Sequence, residues 1–206
     1  ERPNWFAPAG YALTAADLDK PDVLLNDNHP VVPDEPVRDK WSFRRSNYFE
    51  HVGNECLHVT KHVGIQDMSA FAKCEISGPG AESWLDQLLT NAVPKKVGRV
   101  TLSYLLTQNG GVRSEFTVYK AAPQRYYLVS AGAYERHDHD YLKKAMPNDG
   151  SVNFERLTTA MGVLVLAGPR SRDVLAKLTD TDLSNEAFPW LTGKKMSIGL
   201  APVDAL

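Results

Sequence analysis

Four groups of residues in this chain have types and spacing that could support chemistry. Glu115 stands four residues beyond the pair Gly110-Gly111, in the alternating run Val112, Arg113, Ser114, Glu115, Phe116, Thr117, Val118, Tyr119. A carboxylate held in the middle of a strand beside a tight turn can take a proton or steady a positive charge. Spacing alone favours a simpler reading, a solvated strand residue paired with Arg113 or with a cross-strand partner. His58 and His62 have the i, i+4 spacing that places two imidazoles on one helix face for a metal. The intervening Val59-Thr60-Lys61 lacks the glutamate of a metalloprotease helix, so both read as surface or capping histidines. His137-Asp138-His139-Asp140 is rich in ligand types, but neighbouring helical positions point about 100° apart and cannot converge. That run reads as a solvated helix face, and no metal site is expected. The two cysteines, Cys56 and Cys74, form no CxxC pair, and Cys74 on an apolar strand face reads as inert.

The elements that must position these residues are legible in the periodicity. Glu50 to His62 has helical spacing, with Val52, Cys56, Val59 and Val63 near one stripe. Phe71 to Ile76 alternates like a strand, with Ala72, Cys74 and Ile76 on its apolar side. Ser77-Gly78-Pro79-Gly80 then switches the chain into a helix carrying Trp84, Leu85 and Leu88. Ninety residues later the pattern returns, Leu166-Ala167-Gly168-Pro169 ahead of Leu175 and Leu178, which implies two strand-helix units of similar build. Between the copies a hairpin runs from Thr101 to Gln108 and from Val112 to Tyr119 around Asn109-Gly110-Gly111. Arg113, Glu115, Thr117 and Tyr119 then share one face. A two-residue loop sets Glu115 opposite Tyr104, and a three-residue loop sets it opposite Leu105. Tyr126 to Ala131 reads as a third strand, and Tyr134 to Met146 as a helix burying Tyr141, Leu142 and Ala145.

The 206 residues hold 23 Lys and Arg against 25 Asp and Glu, a net charge of −2, which provides no basic surface for nucleic acid. The apolar run 161–167 is far short of the roughly 20 residues that span a bilayer. No GxSxG elbow, Walker loop or GxGxxG follows a strand, so serine-nucleophile and nucleotide chemistry lack support. Two cysteines are too few for a secreted disulfide framework, and a cytoplasmic location is expected, with the mitochondrial matrix as the alternative. Residues 1–40 hold six of the thirteen prolines and read as a connecting arm, with Trp5 and Phe6 docked on a neighbouring body. Glu1 in place of Met, and a final apolar run with no ending, suggest a fragment of a longer protein.

The run Ser42 to Glu50, Asp67-Met68-Ser69, the Gly78 helix with Leu88-Leu89-Thr90-Asn91, the stretch Tyr104 to Tyr119 and the stretch Leu164 to Leu175 come in a specific order. Together they resemble the folate-binding aminomethyltransferase family, the T-protein of the glycine cleavage system, and within it the corresponding part of dimethylglycine and sarcosine dehydrogenases. The resemblance covers about Trp41 to Leu206 and implies an α+β fold, antiparallel sheets with flanking helices. Residues 1–40 would follow an FAD-dependent oxidoreductase module in the same polypeptide, and residues 41–206 would open the folate-binding domain. FAD would belong to the absent module alone. That module would oxidise an N-methylated amine, and tetrahydrofolate bound here would capture the one-carbon unit as 5,10-methylenetetrahydrofolate. The family's hairpin reads Gly-Gly, two residues, then two acids; Ser114 stands at the first acid and Glu115 at the second. The resemblance therefore gives Glu115 the catalytic carboxylate and makes Phe71, Tyr104, Leu105, Ser114, Val129 and Ser130 the folate-binding positions. It requires Glu115 to point into a cavity sized for a reduced pteridine. A folate-gripping Gly-Glu-Leu-Gly-Trp-Glu segment would begin shortly after Leu206. Two other roles suit the same fold, a non-catalytic regulatory or scaffold module and a folate-dependent demethylase of another methyl donor.

Overall fold

The computed structural model of the chain describes residues 6–7, 37–38, 43, 45 and 49–206. The connecting arm expected over residues 1–40 lies outside the described residues, except for β1 (Phe6–Ala7) and β2 (Val37–Arg38), which pair antiparallel. The chain divides into two units, Glu1–Ile65 with Leu166–Ser171, and Gln66–Val165 with Arg172–Leu206.

In the first unit, helix α1 (Phe49–Lys61) matches the expected span but has no buried residue. The stripe of Val52, Cys56 and Val59 is short and interrupted by Glu55, and Val52 and Cys56 are exposed. Strand β3 (Gly64–Asp67) follows it, and pairs with β9 (Leu164–Ala167).

The second unit is built on a five-stranded sheet in the order β5 (Val100–Leu106), β6 (Val112–Ala122), β7 (Arg125–Ser130), β4 (Ala72–Ser77), β8 (Asn153–Arg156). All four neighbouring pairs are antiparallel. Alternation turns Cys74, Ile76, Leu105, Phe116, Val118, Tyr126 and Leu128 to one face, where they form the core with Trp84 and Leu85 of α2 (Ala81–Leu88) and Leu142 of α3 (Glu135–Ala145). The Trp84 indole N–H donates to the Ala145 carbonyl at 3.0 Å and ties the two helices together. Strand β4 is buried from Ala72 through Ile76, so its polar residues need partners: Lys73 Nζ donates to the Ser69 and Phe71 carbonyls, and Glu75 accepts from Arg125 at 2.6 Å. Edge strand β5 is held by Thr90 and Asn91, whose backbone and side chains bond Leu102, Ser103 and Tyr104. The apolar run at the end of the chain is β11 (Ala201–Ala205), an antiparallel partner of β10 (Lys194–Ile198).

The internal repeat extends to individual atoms. Gly78 and Gly168 have φ of 114° and 120°, conformations that side chains rarely adopt. In each copy the N–H three residues on, of Ala81 or Ser171, donates to the glycine carbonyl at 3.1 Å, starting α2 or α4 (Ser171–Leu175). The N–H two residues on donates to a carbonyl just ahead of the paired strand, Gly80 to Ser151 before β8 and Arg170 to His62 before β3. A Cβ on either glycine would stand 2.5 Å from that same carbonyl oxygen. The crowding explains why glycine recurs at the switch in both copies.

The helix expected to bury Tyr141, Leu142 and Ala145 buries Asp138, His139 and Leu142, and Ala145 is exposed. The reading of His137 to Asp140 as a solvated face is thereby corrected. The inward stripe of α3 is partly polar, and it is tolerated because hydrogen bonds from the sheet satisfy Asp138.

Candidate functional site

The site begins with the hairpin between β5 and β6. The Thr107 N–H donates to the Gly111 carbonyl at 2.8 Å, the Gly110 N–H donates back to Thr107 at 3.0 Å, and Gly110 takes φ 79°. This closes a loop over residues 108–110 that by itself would bring Glu115 opposite Ser103. The pairing then shifts, from Leu106 with Val112 to Leu105 with Ser114, leaving Arg113 as the extra residue of a β-bulge. The bulge moves the register by one and puts Glu115 opposite Tyr104. Loop length alone did not decide between the two expected partners.

The bulge also breaks the expected alternation. Arg113 turns to the core side, its guanidinium 4.3 Å above the Tyr141 ring, and Ser114 beside it donates to Asp138 Oδ2 at 2.8 Å. Glu115 emerges on the other face, so Arg113 is not its ion-pair partner. Its partner is the Tyr104 hydroxyl, whose hydrogen bond to Glu115 and nearness to that negative charge push the phenol above its ordinary ionisation range.

Around this pair the sheet face is apolar and open. Leu102 and Leu106 flank Tyr104 on β5, Val112 faces Leu106, and Thr117 and Val129 pair across β6 and β7. Val112 is 67% exposed and Leu102 44%, far more than core residues of this size. At the other end of the same face Tyr119 is buried, with Gly193 packed on its ring and the Asp204 charge among the causes, after burial, that raise its phenol. Glu115 itself is exposed on an open wall, so the expectation that it points into a cavity sized for a reduced pteridine is not met among the described residues. A cavity of about 510 Å³ lies elsewhere in the unit, lined by residues 176–181, Ser197 and Gly199.

The six expected folate positions divide between the two faces. Tyr104 and Val129 share the Glu115 face; Leu105, Ser114 and Ser130 face the core and α3. Phe71 precedes β4, half-buried, with its carbonyl held by Lys73. Asp138, expected from the sequence on a solvated helix face, is fully buried and accepts from both Ser114 at 2.8 Å and Ser130 at 2.9 Å. Two serines on the inward side of neighbouring strands were the available signal. Cys74 is buried and its thiol is pushed up to about 12, first by burial and then by the charges of Asp138 and Glu135. The His58 and His62 rings stack at 4.9 Å, and among the described residues no three His, Cys, Asp or Glu side chains converge as a metal site.

The antiparallel sheet with helices on one face matches the fold of a solved aminomethyltransferase. The glycine cleavage aminomethyltransferase T of Bartonella henselae superposes with a TM-score of 0.59 at 27% identity, over 68% of this chain and 37% of that one. A family model described as the GCVT N-terminal domain matches residues 1–206, and the chain belongs to that family. Mitochondrial dimethylglycine dehydrogenase of Mus musculus is 39% identical over 175 residues, 84% of this chain and 20% of the relative. The mitochondrial pyruvate dehydrogenase phosphatase regulatory subunit of Mus musculus is 27% identical over 203 residues, 98% of this chain and 21% of that one. The chain thus spans about a fifth of the length of the curated relatives it matches.

Proposed function

We propose that the Glu115 face is one wall of a tetrahydrofolate site in a multidomain N-methylglycine dehydrogenase of the dimethylglycine or sarcosine type. The carrying observation is the Glu115 carboxylate, directly across from Tyr104 on an apolar sheet face in a chain of the GCVT family. The chemistry fits a reduced pteridine: apolar walls accept the ring, and a carboxylate on that wall can hold a proton at an amine nitrogen or steady positive charge on an iminium. Bound tetrahydrofolate would supply the amines that accept the one-carbon unit, giving 5,10-methylenetetrahydrofolate. Tyr104 would fix the direction of the carboxylate, and Leu102, Leu106 and Val129 would exclude water. The opposite wall would come from parts of the fold that these residues do not span, and residues 1–40 would lead from an FAD-dependent module in the same polypeptide. The relatives named as mitochondrial favour the mitochondrial alternative, and the cytoplasmic expectation gains no support from them.

Glu115→Gln in the full-length protein tests this reading. Amine oxidation should be retained and methylenetetrahydrofolate formation should fall by roughly 100-fold, the lower range for a lost proton-transfer group. Equal loss of both activities would contradict it. A second reading, a regulatory module without catalysis, draws on the 27% identity to a phosphatase regulatory subunit. Calorimetric titration of the full-length chain with tetrahydrofolate separates the two, since that reading predicts no binding and no product.

A further inference from the structure

The catalytic reading leaves one buried group without a task. Asp138 is the sole fully buried carboxylate among the described residues, and no lysine or arginine pairs with it there. Its Oδ2 accepts two hydroxyls from two different strands, Ser114 of β6 and Ser130 of β7; Oδ1 lies 3.4 Å from Nδ1 of His137, a half-exposed ring. Burying a carboxylate costs several kcal/mol unless hydrogen bonds offset it, and a leucine at this position of α3 would pack without that cost. The placement has a consequence for the sheet. Ser114 is the residue after the bulged Arg113 and immediately before Glu115. Holding Ser114 down onto α3 keeps the strand's alternation in phase beyond the bulge, and Glu115 is forced onto the opposite face, across from Tyr104.

The geometry points to Asp138 as a positioning residue: through Ser114 it anchors the β6 bulge and so aims the Glu115 carboxylate at Tyr104. The inference rests on the proposed role of Glu115 only for its effect on catalysis; the aiming itself is independent of any ligand. Without the anchor the bulge can slide along the hairpin, since each one-residue slip exchanges the faces of every side chain. Misplacing a reacting group by about 1 Å costs on the order of 100-fold in rate.

The test uses the full-length protein with a fluorotyrosine label at position 104, whose fluorine resonance reports ionisation of that phenol. Asp138→Ala removes the acceptor, Ser114→Ala removes only its link to the bulge and guards against a fold lost in the first variant, and Asp138→Asn keeps an acceptor oxygen. Expected is a fall of the Tyr104 titration midpoint in Asp138→Ala and Ser114→Ala to the value found in Glu115→Gln, with Asp138→Asn close to wild type. Turnover of dimethylglycine with tetrahydrofolate to methylenetetrahydrofolate should fall roughly 10- to 100-fold in kcat in the two alanine variants, with the KM for tetrahydrofolate changed less. A Tyr104 midpoint unmoved in folded Ser114→Ala would overturn the inference. A midpoint that falls while methylenetetrahydrofolate formation is untouched would uphold the positioning and sink the catalytic reading of Glu115.

Discussion

Tyr104 and Glu115 stand directly opposite each other on β5 and β6, on a largely apolar sheet face where the carboxylate raises the phenol's ionisation. Two features place them there. Thr90 and Asn91 hold β5 at its free edge, and the Arg113 bulge sets the phase of β6. Thr90 bonds the Tyr104 backbone at both its N–H and its carbonyl, and the bulge lies two residues ahead of Glu115.

The bond sets the ionisation of Tyr104. A carboxylate beside the phenol disfavours the phenolate, so the hydroxyl titrates above its ordinary value of about 10. Glu115→Gln should bring the Tyr104 midpoint down toward that value, and site-resolved NMR titration reads it. Tyr104→Phe should lower stability only slightly, as the loss of a solvent-exposed cross-strand contact. An unmoved midpoint would mean that the pair is not formed in solution.

The two repeat glycines should respond alike to substitution. Gly78→Ala and Gly168→Ala each force a side chain into a positive-φ conformation and against a backbone carbonyl 2.5 Å away. Each should destabilise its unit by on the order of 2–3 kcal/mol, read from urea midpoints. A cost at one site alone would show that the repeat is not energetically equivalent.

Acid should act through Glu82. Lys120 Nζ and the Tyr126 hydroxyl both lie 2.6 Å from its Oε2, and Lys95 is 3.3 Å from Oε1, so its pKa falls from the ordinary 4.5 to about 2, with the Lys120 bond the largest cause. A depressed carboxylate stabilises the folded state fully above about pH 4.5 and loses that contribution as the pH falls toward 2. Glu82→Gln should therefore flatten the stability-against-pH curve between those values, measured by denaturant titration at several pH values. A slope as steep as wild type would remove Glu82 from the account.

The two thiols should differ in reactivity. Cys56 is exposed on α1; Cys74 is buried with its thiol pushed up to about 12. Brief iodoacetamide treatment of the native protein at pH 7.5, followed by peptide mapping, should label Cys56 and spare Cys74 until denaturant is added. Equal labelling would show that β4 opens readily.

Much of this was written in the order of residue types. Two Gly-Pro switches ahead of apolar helices disclosed the internal repeat, because only glycine fits where a carbonyl crowds the Cβ position. Period-two alternation placed β4, β6 and β7, and the hairpin's Asn-Gly-Gly marked its turn. Two readings failed for one reason. The solvated face expected over His137 to Asp140 and the burial of Ala145 both assumed that local pattern sets what is inside, while of the two partners open to Glu115, Arg113 or a cross-strand residue, the structure gives the cross-strand Tyr104. The inward stripe of α3 carries Asp138 because two serines from other strands satisfy it, and sequence distances of 24 and 8 residues separate it from those donors. Which side chains share the Glu115 face was likewise hidden. Leu105, Ser114 and Ser130 were expected beside Tyr104 and Val129, and alternation with the bulge turns them to the core.

The chain's own residues were sufficient to determine that it builds a duplicated strand-helix frame around an acidic hairpin, because propensity, turn chemistry and period are local properties of the backbone. The tertiary structure alone decided that Glu115 meets Tyr104 and that Asp138 lies beneath them. A one-residue bulge reverses the faces of a strand, and the hydrogen bonds that accompany it here come from side chains brought together only by folding.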